Sequence, residues 1–587
     1  MKRILFRLHT IGIVFVILML GTVATVNAAT ITVGDSSDAD HITIQDAVNA
    51  SNSGDTIIVY PGTYYENVDV DKQLTIMSAD GAAVTNVTAA VESDHVFNVT
   101  ADHVIISGFR VSGARGFDAA CIYLSSSSNS TLSYNTFSGN TWPRCNIKLT
   151  SSNNNHLIGN DVSECNFGIG LYSSSNNNTI SNNKALNNYC GIFLASSGNN
   201  TINDNALSSS SYGIHLDSSN SNRISNSTAV NTDKGIYLRS SCNNEISNNT
   251  VSSSEDEGIS LFKSSNNNTI NNNMASNNNY GIYLFSSSNN NTISNNTASK
   301  NNYGIYLWSS SNNNTVSGNM ASNNKEEGIY LWDSNNGTIA GNMVSDNECY
   351  GISFLSSNHN AVNDNIISYN SYAGINLHSS NSNTVDGNMA SKNNSQGISI
   401  HSSNYNTVTD NVFSNNNYHG TSLSSSNYNT VTGNVISNNN YCGIWMSSSD
   451  YNLIYNNLFN NTNNTDIRES IFSGNIGNRW NITQQTGVNI NGGSSLGGNL
   501  WLTPNGEGFS ETSNTDANRD GICDETYKIA SDNIDYLPLS LSKVGSGSGS
   551  GDNGEAIGET PGFTFFAAIG LIGLAFFIHK NKKQDWE

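Results

Sequence analysis

Apolar residues recur along most of the chain in three short clusters separated by runs of serine, asparagine and glycine. In one unit, Ile282 and Leu284 form the first cluster, Ile293 the second and Ala298 the third. Each cluster alternates apolar with polar positions over a few residues, which is typical of a strand buried on one face, and no stretch keeps a helical period of 3.6. The pattern therefore predicts three short strands per unit, joined by three polar turns.

The unit itself repeats every 22 to 24 residues, and each copy begins at a glycine. These glycines are Gly168, Gly191, Gly213, Gly235, Gly258, Gly281, Gly304, Gly328, Gly351, Gly374, Gly397, Gly420 and Gly443. Two looser copies start at Cys121 and Asn146. A fixed period in this range indicates a solenoid, in which stacked neighbours bury the apolar face that one unit cannot bury alone. We therefore predict an all-β parallel β-helix with about 22–24 residues per coil.

An asparagine follows the central Ile or Val of nearly every unit by three residues. This column contains Asn183, Asn205, Asn249, Asn273, Asn296, Asn319, Asn342, Asn365, Asn388, Asn411, Asn434 and Asn457. Stacked coils place such side chains roughly 4.8 Å apart, where one amide can hydrogen-bond to the next. We expect a structural ladder.

The two ends of the repeat differ from its middle. Near the start, Thr43 is placed to cap a short amphipathic helix through Ala50, and a helix over the first coil would protect its exposed edge. The sequence predicts a cap with irregular coils over 30–118, regular repeats over 119–465 and a C-terminal module over 466–541.

Both chain termini carry apolar segments. Residues 1–29 combine basic residues, an apolar run and small residues, which indicates a secretory signal, with a retained anchor as the alternative. A Gly/Ser linker over 542–560 precedes a segment at 561–587, where an apolar run ends in lysines. This apolar run is just long enough to span a bilayer with its basic end inside, which would hold the repeats outside the cell by the C-terminus.

Composition excludes some classes of protein. Acidic residues outnumber basic ones 46 to 24, so nucleic acid is not an expected partner. The eight cysteines include no C-x-x-C pair, so neither a zinc knuckle nor a redox motif is indicated. We expect them to be buried small residues rather than disulfide partners.

Three quoted stretches carry a family resemblance: the opening "HITIQDAVNASNSGDTIIVYPGTYYENV", the "GIYL" coils, and "GGNLWLTPNGEGFSETSNTDANRDGICDETYKI". Together they resemble the NosD-like right-handed β-helix proteins, within the pectin-lyase-like superfamily of carbohydrate-binding proteins and sugar hydrolases. The end of the chain, with Pro561, Gly562 and Phe563, resembles the PGF-type sorting signal of archaeal surface proteins. The resemblance implies the fold, whereas many functions occur on it.

Outward positions of the "GIYL" strands predict an exposed aromatic strip. Alternation sends the second and fourth residues after each glycine outward. These positions hold Tyr237, Phe262, Tyr283, Phe285, Tyr306, Trp308, Tyr330 and Trp332. Flat rings in register are a usual platform for sugar rings, so we predict carbohydrate binding here; the alternative is stacking that only stiffens the coils. Asp217 and Arg239 share the fourth-place column and should form an ion pair.

Metal and catalytic candidates are fewer. His378 and His401 on neighbouring coils are candidates for a copper site, which the family name suggests, but no third ligand is in register. Glu326, Glu327 and Glu348 are weak candidates for catalytic acids, because no arginine accompanies them.

One acidic loop resembles a calcium site. Asp516, Asn518, Asp520 and Asp524 alternate as in an EF-hand loop, with Gly521 at the sharp turn, but Tyr527 replaces the final glutamate. Weak calcium binding or an unliganded turn are both open. No cofactor is otherwise required.

A column of Asn-x-Thr triplets adds a modification signal. It starts at Asn267, Asn290, Asn313 and Asn336, and in an exported protein such triplets accept N-glycans. The residues together favour an extracellular, surface-anchored structural or adhesive protein that binds a polysaccharide or envelope glycan. A carbohydrate-active enzyme (lyase, hydrolase or epimerase) is the first alternative, and a copper-handling accessory protein the second.

Overall fold

The computed structural model describes residues 28–138, 145–468, 475–513 and 515–541. The chain divides into two units, residues 1–166 and 167–587. Almost all of the predicted leader, the predicted linker and the segment at 561–587 lie outside the described residues. In the described part of the chain, no helix has the length and apolar character that crossing a membrane requires.

The first unit begins with the predicted helix, Ile44–Ala50. Thr43 caps it, since its Oγ1 accepts a hydrogen bond from the Asp46 backbone N–H at 3.1 Å. The helix buries Ile44, Ala47 and Val48, so the predicted capping helix is confirmed.

Strands of the first unit form parallel sheets. One sheet contains Thr30–Val33, Thr56–Val59, Thr75–Ser78, Ile105–Ser107, Thr131–Ser133 and His156–Ile158. A second contains Gly62–Tyr65, Thr85–Thr88, Arg110–Ser112 and Thr136–Ser138. A third contains Val68–Val70, Phe97–Val99, Ala120–Ser125 and Cys145–Thr150. Every strand pairing found within this unit is parallel, as the sequence predicts for a β-helix.

The second unit repeats the same three-strand coil with greater regularity. Its first sheet contains Phe167–Tyr172, Cys190–Ala195, Tyr212–Asp217, Lys234–Arg239, Glu257–Phe262, Tyr280–Phe285, Tyr303–Trp308, Ile329–Trp332, Ile352–Leu355, Ile375–His378, Ile398–His401, His419–Ser424, Cys442–Ser447 and Thr465–Arg468. Its second sheet contains Thr179–Ser181, Thr201–Asn203, Arg223–Ser225, Glu245–Ser247, Thr269–Asn271, Thr292–Ser294, Thr315–Ser317, Thr338–Ala340, Ala361–Asn363, Thr384–Asp386, Thr407–Thr409, Thr430–Thr432 and Leu453–Tyr455.

The third sheet closes each coil of the second unit. It contains Lys184–Leu186, Ala206–Ser208, Thr228–Val230, Thr250–Ser252, Met274–Ser276, Thr297–Ser299, Met320–Ser322, Met343–Ser345, Ile366–Ser368, Met389–Ser391, Val412–Ser414, Val435–Ser437, Leu458–Asn460 and Leu500–Leu502. The core lies between the three sheets: Ile282, Leu284, Ile293 and Ala298 are all fully buried. The apolar pattern therefore predicts the interior correctly.

Buried asparagines connect successive coils, as predicted. In the predicted column, Asn296 Nδ2 donates to Asn319 Oδ1 at 3.0 Å, and Asn319 Nδ2 donates to Asn342 Oδ1 at 3.0 Å. The same oxygens also accept the backbone N–H of the preceding coil, so each amide satisfies both a side chain and the main chain. Two further ladders, through Asn406 and Asn429 and through Asn393 and Asn416, run in the other two turns of the coil.

The C-terminal module returns the chain to the third sheet. Leu500–Leu502 pairs with Leu458–Asn460 after a long excursion. Two short antiparallel pairs, Gln485–Thr486 with Ser495–Leu496 and Tyr527–Lys528 with Ile534–Asp535, and the helix Phe509–Thr512 complete the module.

Candidate functional site

The predicted aromatic strip lies on the first sheet of the second unit. Strand register places Tyr306 beside Tyr330 and Trp308 beside Trp332 on successive coils. The stacked rings repeat at short intervals, with centroids 5.2 Å apart for Tyr283 and Tyr306 and 4.8 Å apart for Tyr306 and Tyr330. We use the name aromatic strip for the eight residues Tyr237, Phe262, Tyr283, Phe285, Tyr306, Trp308, Tyr330 and Trp332.

Exposure differs sharply across the strip, and the expectation of an exposed strip throughout is wrong. Tyr237, Tyr283 and Tyr306 retain only 8%, 5% and 5% of their accessible surface. Trp308 and Trp332 retain 37% and 39%. Tyr283 and Tyr306 are buried because each is covered both by the other and by a further tyrosine on the same coil. The tryptophans therefore form the accessible edge, and the tyrosines form its base.

A third aromatic column, which alternation does not predict, covers the other side of the tyrosine base. Tyr280 lies on Tyr283, with ring centroids 4.6 Å apart, and Tyr303 lies on Tyr306 at 5.3 Å. Strict alternation assigns Tyr280 to the interior, but the intervening Gly281 occupies that side instead. A Cβ at Gly281 would lie 2.5 Å from the Gly304 carbonyl oxygen, so two successive residues, Gly281 and Ile282, face inward.

This third column has a signal in the sequence. A tyrosine directly precedes the coil-start glycine in four coils, at Tyr212, Tyr280, Tyr303 and Tyr350. Burial raises the pKa of Tyr303 to about 12 and that of Tyr306 further, so both phenols stay neutral at ordinary pH. The base of the strip is therefore an uncharged aromatic layer.

Charged side chains border the strip at its N-terminal end. Arg239 Nη1 lies 3.0 Å from Asp217 Oδ2, so the predicted ion pair is confirmed. Arg239 is paired in register with Phe262 on the next strand, which continues the column toward the tryptophans. Asp217 and Arg239 both remain partly exposed, so the pair presents hydrogen-bonding groups beside the rings.

A second ionic cluster lies among the tyrosines. Lys234 Nζ lies 2.8 Å from Asp256 Oδ2 and also contacts Glu257. Burial by itself would lower the pKa of Lys234, but the hydrogen bonds to both carboxylates have the larger effect, so the pKa is raised. Lys234 Nζ is also 5.4 Å from the Tyr237 ring centroid, within cation–π range.

The proposed catalytic acids separate into two groups. Ligand atoms of Glu326, Glu327 and Cys349 all lie within 4.8 Å of one another, whereas Glu348 lies outside that group. Burial raises the pKa of Glu327 and raises that of the Cys349 thiol to about 12, and the thiol donates to Glu327 Oε1 at 3.6 Å. None of the ion pairs found in the described ranges involves these glutamates.

The candidate copper pair is stacked. The rings of His378 and His401 have centroids 4.8 Å apart and planes within 22°. Nearly parallel rings direct their nitrogen lone pairs along parallel planes, so one ring would have to rotate before both could bind one ion. No group of three ligating residues found among the described residues includes either histidine.

The acidic loop folds as a tight turn closed by its own hydrogen bonds. Asp516 accepts from the backbone N–H groups of Asp520 and Gly521, at 3.0 and 2.9 Å, and Asp524 accepts from Ala517 at 2.9 Å. Gly521 has a φ of +87°, which is the sharp turn that the sequence predicts. Asn518 Nδ2 donates to Asp520 Oδ2, so the carboxylate oxygens of the loop accept hydrogen bonds from the main chain and from this amide. Calcium binding stays a prediction.

The fold and this surface define a parallel β-helix with an external aromatic strip. The family model described as "Periplasmic copper-binding protein (NosD)" matches residues 48–226 and 317–506, more than half of the chain. A second model, "Right handed beta helix region", matches residues 177–321. The chain therefore belongs to the NosD family of right-handed β-helix proteins.

Comparison with individual proteins gives fold-level similarity alone. None of the curated proteins matches the chain. Among solved structures, the chain is similar to the A-module of mannuronan C-5 epimerase AlgE4 from Azotobacter vinelandii, at 13% identity and a TM-score of 0.26, over 74% of this chain and 92% of that one. It is also similar to DFA-IIIase from Arthrobacter chlorophenolicus A6 without its lid, at 13% identity and a TM-score of 0.36, over 58% and 94% of the two chains.

Proposed function

We propose that this protein is an extracellular binding protein that holds a neutral polysaccharide on the edge of the aromatic strip. The observation that carries the proposal is the pair Trp308 and Trp332, exposed on adjacent coils beside the buried Tyr306 and the half-buried Tyr330. Exposed indoles supply apolar faces for sugar rings, and the tyrosine layer holds them in place at little further entropic cost.

The polar border of the strip supports a sugar as the ligand. The Asp217–Arg239 pair supplies both an acceptor and donors in the same column as the rings, and sugar hydroxyls need both. Asp217, Asp256 and Glu257 are paired with Arg239 and Lys234, so the border of the strip has no excess of positive charge that would favour an anionic polymer. A neutral polysaccharide meets both conditions.

Location outside the cell completes the proposal. The leader at 1–29 would export the chain, and the segment at 561–587 would anchor it at the surface by its C-terminus. The long series of coils would then hold the strip away from the membrane. In this arrangement the protein acts as a structural or adhesive component that contacts an envelope or external glycan.

The test is a binding survey with the exported chain. Neutral polymers (cellulose and mixed-linkage β-glucan) and anionic ones (alginate and pectate) are presented to the wild type and to a Trp308→Ala, Trp332→Ala variant. We expect neutral polymers to bind the wild type and to lose affinity for the variant. The proposal fails if binding to the preferred polymer does not depend on these two indoles.

An enzymatic alternative rests on the Glu326–Glu327 pair next to the strip. Both glutamates act electrostatically on Tyr303, and Glu327 has a raised pKa, which suits a general acid. Release of reducing ends or unsaturated sugars in the same survey, lost in Glu327→Gln, would favour this alternative.

Copper handling, which the family description names, has one supporting observation in the stacked pair His378 and His401. It predicts copper binding that disappears in a His378→Ala, His401→Ala variant. Tight copper binding that survives in this variant would exclude the pair as the site.

A further inference from the structure

Three exposed tyrosines form a separate aromatic column in the second unit, in the turn that joins its first sheet to its second. Tyr405, Tyr428 and Tyr451 are 61%, 48% and 52% exposed, although each ring contacts its neighbour. Ring centroids are 5.2 Å apart in both contacts, and the planes differ by only 6° and 9°. We call these three residues the tyrosine ladder.

The backbone of the ladder is in a conformation that tyrosine disfavours. Its three residues have φ values of 58°, 57° and 55°, in the left-handed region where a bulky side chain is strained. Earlier coils place an asparagine in the same turn, two residues before the second-sheet strand, as at Asn290, φ 56°, and Asn313, φ 56°. Asparagine tolerates this conformation, so backbone preference does not explain three tyrosines in succession.

The geometry of the ladder suits a repeating ligand. The parallel rings at 5.2 Å cover one another only in part, because the three tyrosines keep about half or more of their surface exposed, and each therefore offers aromatic surface to solvent. A polymeric ligand that lies across the coils, with a repeat close to the coil spacing, would make the same contact with each ring. One sugar unit of an extended β-linked chain has a rise of this size.

Neighbouring charge narrows the ligand further. The turn segments that carry the ladder, residues 402–406, 425–429 and 448–452, contain no lysine or arginine, and Asp450 directly precedes Tyr451. A polyanion would therefore find no positive partner in this turn, which leaves hydroxyl-rich neutral chains as the fitting class. We propose that the tyrosine ladder is a second glycan-binding site, which takes a neutral β-linked glycan chain laid across the coils. The tyrosine ladder and the aromatic strip share only the class of ligand, because they consist of different residues on different coils.

Conservative variants separate binding from folding. Tyr405→Asn with Tyr428→Asn restores the residue that earlier coils use in this turn, while Tyr451 is left in place because it packs against Gly477. Tyr369→Asn is the matched control, since Tyr369 is likewise 55% exposed with a φ of 60° but lies outside the ladder.

Each change is made in the wild type and in the Trp308→Ala, Trp332→Ala variant. Mixed-linkage β-glucan is the probe, and the melting temperature of every variant is recorded.

The expected result has two parts. The ladder variant keeps or raises the melting temperature, because strain is relieved. Binding that remains in the Trp308→Ala, Trp332→Ala background falls by about tenfold or more when the ladder changes are added, since the ladder is the site that remains in that background. Tyr369→Asn leaves binding unchanged.

Other results overturn one proposal or both. Binding that is indifferent to the ladder variant in both backgrounds overturns the ladder and leaves the strip. Loss of binding through the ladder changes but not through the tryptophan changes supports the ladder and overturns the strip. A fall in melting temperature that accompanies the loss of binding shows that the rings only stabilise the coil, and a wild type that does not bind the probe overturns both sites.

Discussion

Trp308 and Trp332 occupy paired positions on successive strands, with ring centroids 5.6 Å apart and planes inclined by 31°. This inclination differs from the near-parallel stacking of Tyr306 on Tyr330, whose planes differ by 12°. Tyr306 is covered by Tyr303 as well as by Tyr330 and is buried, whereas Trp308 and Trp332 leave indole surface open to solvent. The most accessible aromatic surface of the strip is thus confined to one edge.

The asparagine ladder should make single interior asparagines costly to replace. In Asn319→Ala, the backbone N–H and the side-chain amide of Asn296 both lose their acceptor inside the coil. We expect a loss of about 2–4 kcal/mol in the free energy of unfolding, measured by urea denaturation, since buried donors without partners are expensive. Asn394→Ala, at an exposed position outside the left-handed turns, should change stability little. Equal effects of the two variants would contradict a structural role for the ladder.

The coil-start glycines should tolerate no side chain where the backbones stack. In Gly304→Ala, the new Cβ would lie 2.3 Å from the Gly328 carbonyl oxygen and 2.8 Å from Asn324 Nδ2. Because a backbone atom cannot move without displacing the next coil, we expect destabilisation above about 3 kcal/mol, or no folded product.

Gly341→Ala is the contrasting variant for that measurement. Gly341 has open space around it and a φ of +61°, so only local strain of about 1 kcal/mol is expected. The steric account is wrong if Gly304→Ala is as stable as Gly341→Ala in the same denaturation experiment.

Asp535 should make the C-terminal module sensitive to pH. Its carboxylate is almost wholly buried, where it accepts from Trp501 Nε1 at 2.9 Å and from the Asn499 backbone at 2.8 Å. Burial is the main influence, and it raises the pKa of Asp535 from 3.8 to about 7. The folded state therefore binds this proton more tightly than the unfolded state does.

The direction of the pH effect follows from linkage. A carboxyl whose pKa is raised on folding destabilises the protein when ionised, so stability should fall as pH rises from about 4 to about 7 and stay level above that. We expect the melting temperature of the C-terminal module, measured between pH 5 and pH 8, to fall with rising pH in the wild type. In Asp535→Asn it should fall less. A module that is more stable at pH 8 than at pH 5 would contradict the assignment.

The coil could be predicted from the sequence because the apolar positions and the fixed repeat determine which residues are buried and which are neighbours. Ile282, Leu284 and Ile293 must be buried together, and a fixed repeat places each residue beside its counterpart, so core, register and the asparagine column all follow. The Asp217–Arg239 pair follows from the same register.

The strip could be predicted only in part. Alternation gives the direction of Tyr306 and Trp308 but not their exposure, which depends on how neighbouring rings cover one another. The third column at Tyr280 and Tyr303 breaks alternation, because Gly281 and Ile282 both face inward. The tyrosine ladder lies in a turn, so alternation does not predict its exposure, although the coil repeat places Tyr405, Tyr428 and Tyr451 in one column.

Equilibrium affinity for the neutral polymer that the survey identifies tests the central claim most directly. It is measured by titration calorimetry for three proteins: the wild type, the double variant that carries both Trp308→Ala and Trp332→Ala, and the single variant Trp445→Ala, which is a control on the same sheet. We expect the double variant to lose about 2 kcal/mol or more of binding free energy, as buried aromatic contacts in an interface do, and the control to bind like the wild type. Equal affinity of the wild type and the double variant would contradict the account.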